Sequence, residues 1–174
     1  MARSPMSPIG AVVRGALAGA VGIAAMDAVW FARYRKGGGD DAFRDWEFSS
    51  STATWDTAAA PAQVGKRVME GFLAHEVPDG WAGPTNNIVH WGYGLLWGSL
   101  YGIVAGSTDK PEVRHGLGFG ALVFGSGYVM LPLAKLYKPI WQYDATTLAK
   151  DFSAHLAFGF ATAGAFRLLA AARR

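Results

Sequence analysis

The sequence predicts an all-α, polytopic membrane protein with four transmembrane helices built as a duplicated helix pair, and three observations favour this class. Charged residues make up only 17% of the chain, against about 25% in average soluble domains. Glycine accounts for 23 of the 174 residues; it weakens soluble helices but lets membrane helices pack closely. Four apolar segments are each long enough to cross a bilayer as a helix. The whole chain, 1–174, is therefore predicted to be a single membrane domain.

The first predicted span covers residues 9–31, and its only charged residues are Arg14 and Asp27. This segment is longer than the apolar region of a signal peptide, about 7–15 residues, so we expect a span rather than a cleaved leader. The connection 34–86 follows. Within it, residues 60–75 predict an amphipathic helix that is too short to span and lies along the interface. Its apolar face is formed by Val64, Val68, Phe72 and Leu73.

The second predicted span covers residues 87–105 and carries a glycine every four residues, at Gly94, Gly98, Gly102 and Gly106. Such a ridge is typical of close helix–helix contact in lipid. It predicts packing within the chain, or against another copy or a larger membrane complex. The third span, 115–133, follows a short loop and is expected to pack antiparallel to the second. The fourth span covers 152–170.

The second and fourth spans share the pattern [N/D]-x-x-x-H-x-x-[Y/F]-G. It begins at Asn86 in one and at Asp151 in the other, an offset of 65 residues. A weaker similarity, at an offset of 100, relates residues 13–17 to 113–117. In a four-span bundle the two copies run in the same direction. Their histidines then lie at one depth, about one turn from the side that carries both long connections, called side B here.

Five polar residues are predicted to form one layer near side B. They are Asp27, Asn86, His90, Asp151 and His155. A spacing of four residues places each histidine on the same helix face as the polar residue before it, Asn86 or Asp151. Ionisable groups inside a membrane are costly unless they pair or meet water, so they are candidates for function.

Several uses of this layer remain open. It is a structural network of interhelical hydrogen bonds, or it relays or senses protons or lines a path for a small solute. A third hypothesis is a metal site built from Asp27, His90, Asp151 and His155. In a fourth, His90 and His155 hold a haem. No cofactor is assigned.

The chain lacks cysteine and carries no recognised catalytic motif, so no catalytic residue is assigned and an enzyme is not the favoured interpretation. A net charge of +3 does not indicate nucleic-acid binding, and the expected partner is the lipid bilayer. Four tryptophans in the side-B connections are predicted to be interfacial anchors: Trp46, Trp55, Trp81 and Trp141.

The segment Asn87–Gly94, followed by Trp97–Gly102, resembles the YagU-like inner-membrane proteins of bacteria, which carry a helix with His, an aromatic residue and then Tyr-Gly. The helix with Asp151, His155 and Gly159 is similar to their last span, and Asp27 at the end of a Gly/Ala-rich helix fits their first. The resemblance covers the spans, about half of the chain. It implies a location in the bacterial inner membrane and a link to acid tolerance, but no established activity.

Overall fold

The computed structural model describes residues 6–48, 54–108 and 111–172, and every regular element within these ranges is helical. The all-α class is therefore confirmed. Three of the helices are long and apolar enough to cross a membrane. The helices are α1 (Pro8–Lys36), α2 (Phe43–Glu47), α3 (Ala60–Leu73), α4 (Ala82–Gly106), α5 (His115–Leu133) and α6 (Ala145–Ala171), and the three candidate spans are α1, α5 and α6.

α4 is not among these three candidates, although it is 25 residues long and contains no Asp, Glu, Lys or Arg. Its mean hydropathy is lower than theirs because glycine, tryptophan and tyrosine, which are frequent in α4, have low hydropathy values. These three residues are all common in membrane helices, whereas charged residues are not. The low hydropathy of α4 therefore does not argue against a span as strongly as charged residues would.

Two helices begin earlier than the sequence predicted. α4 starts at Ala82 rather than 87, because Pro84 lies in the first turn, where a proline N–H would have no partner within the helix anyway. α6 starts at Ala145 rather than 152, because the Asp144 side chain accepts a hydrogen bond from the Thr147 backbone N–H at 2.9 Å. α5 has the predicted bounds, and α3 ends at Leu73, close to the predicted 75.

α1 is the central helix of the bundle. It packs against α4 on one side and α6 on the other, and α6 in turn packs against α5. The order across the bundle is therefore α4–α1–α6–α5. The second and third spans were expected to pack together, but α4 and α5 are not in close backbone contact. Long side chains bridge them instead: the rings of Trp97 and Tyr101 meet Phe119 at centroid distances of 6.2 and 4.7 Å.

The predicted glycine ridge of α4 lies against α1. A Cβ built on Gly98 would lie 2.6 Å from the Cα of Gly19, and one built on Gly102 would lie 2.7 Å from the Cα of Gly15. Real side chains do not fit at such distances, so the two backbones touch. Because α1 covers the ridge within the chain, another copy or subunit would have to bind elsewhere.

α5 and α6 make a similar contact. A Cβ on Gly159 would lie 2.8 Å from the Cα of Gly120, and one on Gly116 would lie 2.7 Å from the Cα of Phe160. The two outer helices are thus each held by a glycine-lined contact, α4 on α1 and α5 on α6. The centre of the bundle is filled by Phe158, Thr162 and Phe166 of α6, which are fully buried.

A second, smaller core fixes the connection between α1 and α4. Trp55 is only 5% exposed and packs with Ala62, Val77 and Ala82. Its indole N–H donates to the Val77 carbonyl at 2.7 Å. The prediction that Trp55 anchors the protein at the interface was therefore wrong, since it packs inside the protein. Trp141, by contrast, is exposed.

Candidate functional site

A cavity of about 660 Å³ lies in the bundle at the end that carries the two long connections. The last turns of α1 and α5 and the first turns of α4 and α6 form its walls, and α2, α3 and the connection after α5 complete them. All five residues of the predicted polar layer line this cavity: Asp27, Asn86, His90, Asp151 and His155. The five residues therefore face one cavity, although they do not form a single hydrogen-bonded network.

One histidine–carboxylate pair links two helices. Asp27 of α1 is 4% exposed, and its Oδ1 lies 3.0 Å from Nε2 of His90 in α4. When Asp27 is ionised its oxygens only accept, so Nε2 carries a hydrogen and Nδ1 is the nitrogen able to take up a proton. The second oxygen of Asp27, Oδ2, is buried and has no hydrogen-bond partner. Buried polar atoms are rarely left in this state.

The other pair lies within α6. Nδ1 of His155 is 3.1 Å from Oδ1 of Asp151 and 2.9 Å from the Asp151 backbone carbonyl. A carbonyl can only accept, so Nδ1 carries the hydrogen and Nε2 is the nitrogen able to take up a proton. Both side chains are about one-fifth exposed, at 20% and 21%. The Phe124 ring of α5 meets the imidazole edge-on, with centroids 5.6 Å apart.

His90 does not bond to Asn86, the residue that shares its helix face. Oδ1 of Asn86 is buried without a partner, and His90 bonds instead to Asp27 of the neighbouring helix. The glycine contact explains this outcome. Gly94, one turn beyond His90, lies against Ile23, one turn before Asp27, so the Asp27 carboxylate is brought to the imidazole.

Glu47 was not predicted to be a site residue, but it also lines the cavity. Its Oε1 accepts a hydrogen bond from the Trp91 indole N–H at 3.0 Å. Burial raises the pKa of Glu47, the nearby Asp27 charge and a hydrogen bond to the Asp27 side chain raise it further, and the Trp91 hydrogen bond and the His90 charge oppose these effects. The aromatic residues next to Glu47 in the sequence could have indicated that this segment packs on the bundle. Phe43 and Trp46 pack on Phe31 of α1, with ring centroids 5.2 and 5.4 Å apart. That cluster holds α2 against the bundle.

The described residues that line the cavity include three carboxylic acids but no lysine or arginine. The acids are Asp27, Glu47 and Asp151. Tyr137 also faces the cavity, and burial together with the Asp151 charge raises its pKa to about 12. Its phenol therefore remains a neutral hydrogen-bonding group at ordinary pH. The potential in the cavity is set by carboxylates and by the protonation of two imidazoles.

The geometry does not favour the metal hypothesis. Across residues 6–48, 54–108 and 111–172, no three His, Cys, Asp or Glu side chains are arranged to hold a metal ion. Asp27–His90 and Asp151–His155 are two separate pairs, each of which already satisfies one imidazole nitrogen. A structural zinc site requires four ligands and a catalytic one requires three.

No protein-family model, curated protein or solved structure matches the chain. The resemblance to the YagU-like proteins therefore stays a prediction. What the site does is argued below from its own side chains.

Proposed function

We propose that α1, α4, α5 and α6 cross a bilayer together, and that the side-B cavity binds a small solute and exchanges protons through Asp27–His90 and Asp151–His155. The observation that carries this proposal is the Asp27 carboxylate. It is buried, bonded to an imidazole through one oxygen and unpartnered at the other, on the wall of a cavity large enough for a ligand. Ionisable groups placed in this way inside a membrane mark solute or proton paths.

The inclusion of α4 as a fourth span is supported by its length and its surface. At about 1.5 Å per residue, a helix of 25 residues exceeds the roughly 30 Å of a bilayer core. Its outer face presents apolar side chains, namely Leu96, Leu100, Ile103 and Val104. α1, already long enough to cross, packs along α4.

The helix contacts support a duplicated pair with a revised register. The Gly94 carbonyl lies against Gly19, and the equivalent Gly159 carbonyl lies against Gly116. α1 and α5 are then related by an offset of 97 residues rather than 100. In this register Phe124 is the counterpart of Asp27. Each contacts the histidine of the neighbouring helix, as Asp27 does with His90 and Phe124 with His155.

Proton exchange follows from the chemistry of these pairs. Histidine titrates near pH 6.5 when unperturbed. A carboxylate held against one ring nitrogen stabilises the imidazolium formed when the other nitrogen takes up a proton. Both pairs face one cavity, so a proton taken up there changes the charge seen by a bound solute. The acid-tolerance link and the bacterial inner-membrane location implied by the YagU-like resemblance are consistent with this behaviour.

Proton movement can be tested in proteoliposomes that enclose a pH-sensitive dye. We expect an imposed pH gradient to decay faster with the wild type than in protein-free liposomes. The double variant His90→Ala, His155→Ala should return the decay to the protein-free rate. His115→Ala is the control, since His115 is exposed and does not line the cavity. Wild-type decay no faster than that of empty liposomes, or a double variant as fast as the wild type, contradicts the proposal.

The four-span topology can be tested by cysteine labelling, because the chain has no cysteine of its own that would react. Single cysteines are placed at the exposed positions Asp40, Ser107 and Lys138 and labelled with a membrane-impermeant maleimide. Four spans require that Ser107→Cys is labelled from one side of the membrane and the other two variants from the opposite side. Labelling of Ser107→Cys from the same side as Asp40→Cys would show that α4 does not cross.

A further inference from the structure

The charge on the cavity wall selects the ligand. Three carboxylic acids face the cavity, and the described lining residues provide no lysine or arginine to balance them. The Asp27 charge is close enough to Glu47 to disfavour its ionisation. The Glu47 carboxyl also lies within hydrogen-bond reach of the Asp27 carboxylate, and Oδ2 of Asp27 accepts no hydrogen bond from an N–H or hydroxyl donor. An anionic ligand would meet repulsion here, whereas an uncharged apolar ligand would leave Oδ2 unsatisfied.

The aromatic side chains around these acids narrow the choice. The described lining of the same cavity includes seven aromatic rings: Trp30, Trp46, Tyr93, Phe124, Tyr128, Tyr137 and Phe158. The faces of aromatic rings attract cations, and cages of such rings recognise quaternary and alkylated ammonium groups. Strongly hydrated metal ions prefer oxygen or nitrogen ligands instead, and the described residues provide no group of three. Carboxylates together with rings suit a cation that carries its own apolar groups.

We infer that the side-B cavity binds a small organic cation, an alkylated or aryl-substituted ammonium compound. Its charge lies against Asp27 and Glu47, and its apolar groups lie against the surrounding rings. The inference rests on the proposed function, because it names the solute class for the same cavity. A volume of about 660 Å³ lies within the range of about 300–1,000 Å³ typical of small-molecule sites.

The binding test uses benzyltrimethylammonium as the probe, with the full chain in nanodiscs and isothermal titration calorimetry as the readout. Neopentylbenzene has nearly the same shape without the charge, and benzenesulfonate carries the opposite charge. We expect the cation to bind at least tenfold more tightly than neopentylbenzene, and benzenesulfonate not to bind. Equal affinity for the cation and neopentylbenzene would show an apolar or lipid-binding cavity, and absence of cation binding would also overturn the inference.

Two substitutions locate the site, and one neighbour serves as a matched control. Asp27→Asn and Glu47→Gln each remove an acidic group with little change in volume. A bound cation favours the ionised form of both acids, so each substitution should weaken cation binding about tenfold or more. Asp45→Asn removes a charge from the same short helix as Glu47, but Asp45 is exposed and does not line the cavity. Glu47 belongs to a peripheral helix, so Glu47→Gln still tests the site if Asp27→Asn fails to fold. Unchanged affinity in Glu47→Gln would contradict the assignment.

The two proposals fail in distinguishable ways. If the cation binds and Glu47→Gln abolishes binding, but the protein does not speed proton movement in liposomes, the ligand class is supported and the proton role is contradicted. Proton movement that depends on His90 and His155, without any preference for the cation, would retain the proton role and remove the ligand class.

Discussion

The two histidine–carboxylate pairs occupy equivalent places in α4 and α6 but are built in different ways. His90 takes its carboxylate from the neighbouring helix, and its own helix offers only the amide of Asn86. His155 takes its carboxylate from its own helix, and the neighbouring helix offers the ring of Phe124. Each histidine thus bonds to one carboxylate, which belongs to the neighbouring helix for His90 and to the same helix for His155. The two sites differ in one further acid, because the Glu47 carboxyl lies near Asp27 and His90.

Whether the carboxylate comes from the neighbouring helix or from the same helix has consequences for stability. The Asp27–His90 bond joins α1 to α4, and its carboxylate is almost completely buried. The Asp151–His155 bond joins two turns of one helix and is partly exposed. The first pair therefore couples the packing of α1 and α4 to the charge state of the site. The second pair contributes little to the packing of α5 against α6, because both of its members belong to α6.

The largest expected effect comes from removing the contact that creates the first pair. Gly98→Leu places a side chain where a Cβ would already lie 2.6 Å from the Cα of Gly19. The backbones of α1 and α4 must then separate. A few extra methylene groups in a packed core already cost about 1–3 kcal/mol, and a leucine set against backbone, which cannot move aside as a side chain can, should cost more than the loss of either histidine. We expect a several-fold lower yield of monodisperse protein by size-exclusion chromatography.

Gly118→Leu is the control for that variant, because a Cβ at Gly118 has no neighbour within 4 Å. It should be purified like the wild type. A Gly98→Leu variant that elutes as a monodisperse protein at normal yield would show that the α1–α4 contact is not needed, and the comparison of the two pairs would lose its basis.

A smaller effect separates the two histidines. His90→Ala leaves the buried Asp27 without a partner, and breaking a buried pair by removing one member typically costs about 3–5 kcal/mol. His155→Ala leaves Asp151, which is 21% exposed, so the loss should be closer to the ~1 kcal/mol of a solvated pair. Unfolding in mixed micelles at neutral pH measures both, and equal losses would contradict the proposed difference.

Sequence patterns predicted much of the fold but only part of the site. Helix periodicity and composition identified the long helices. The spacing of Asp151 and His155 placed them on one face of a helix, and there the two side chains do meet. The partner of His90 was not predictable from spacing, since it depends on which glycine faces meet, and these faces selected α1 rather than α5 for α4. Glu47 was missed because it belongs to a short helix without enough turns to show a periodic pattern.

The smallest expected effect tests whether the carboxylate that His90 needs can be moved from α1 to α4. Asp27→Asn removes the carboxylate of the first pair, and adding Asn86→Asp provides one at the position that Asp151 occupies in α6, four residues before the histidine. Because one carboxylate near His90 is what the site requires, we expect the double variant to be more stable than Asp27→Asn alone. Coupling between neighbouring residues is typically about 0.5–3 kcal/mol, which a double-mutant cycle in mixed micelles can resolve. Additive effects of the two substitutions would show that the buried position on α1 matters in its own right, and that the two pairs are not interchangeable solutions to the same electrostatic requirement.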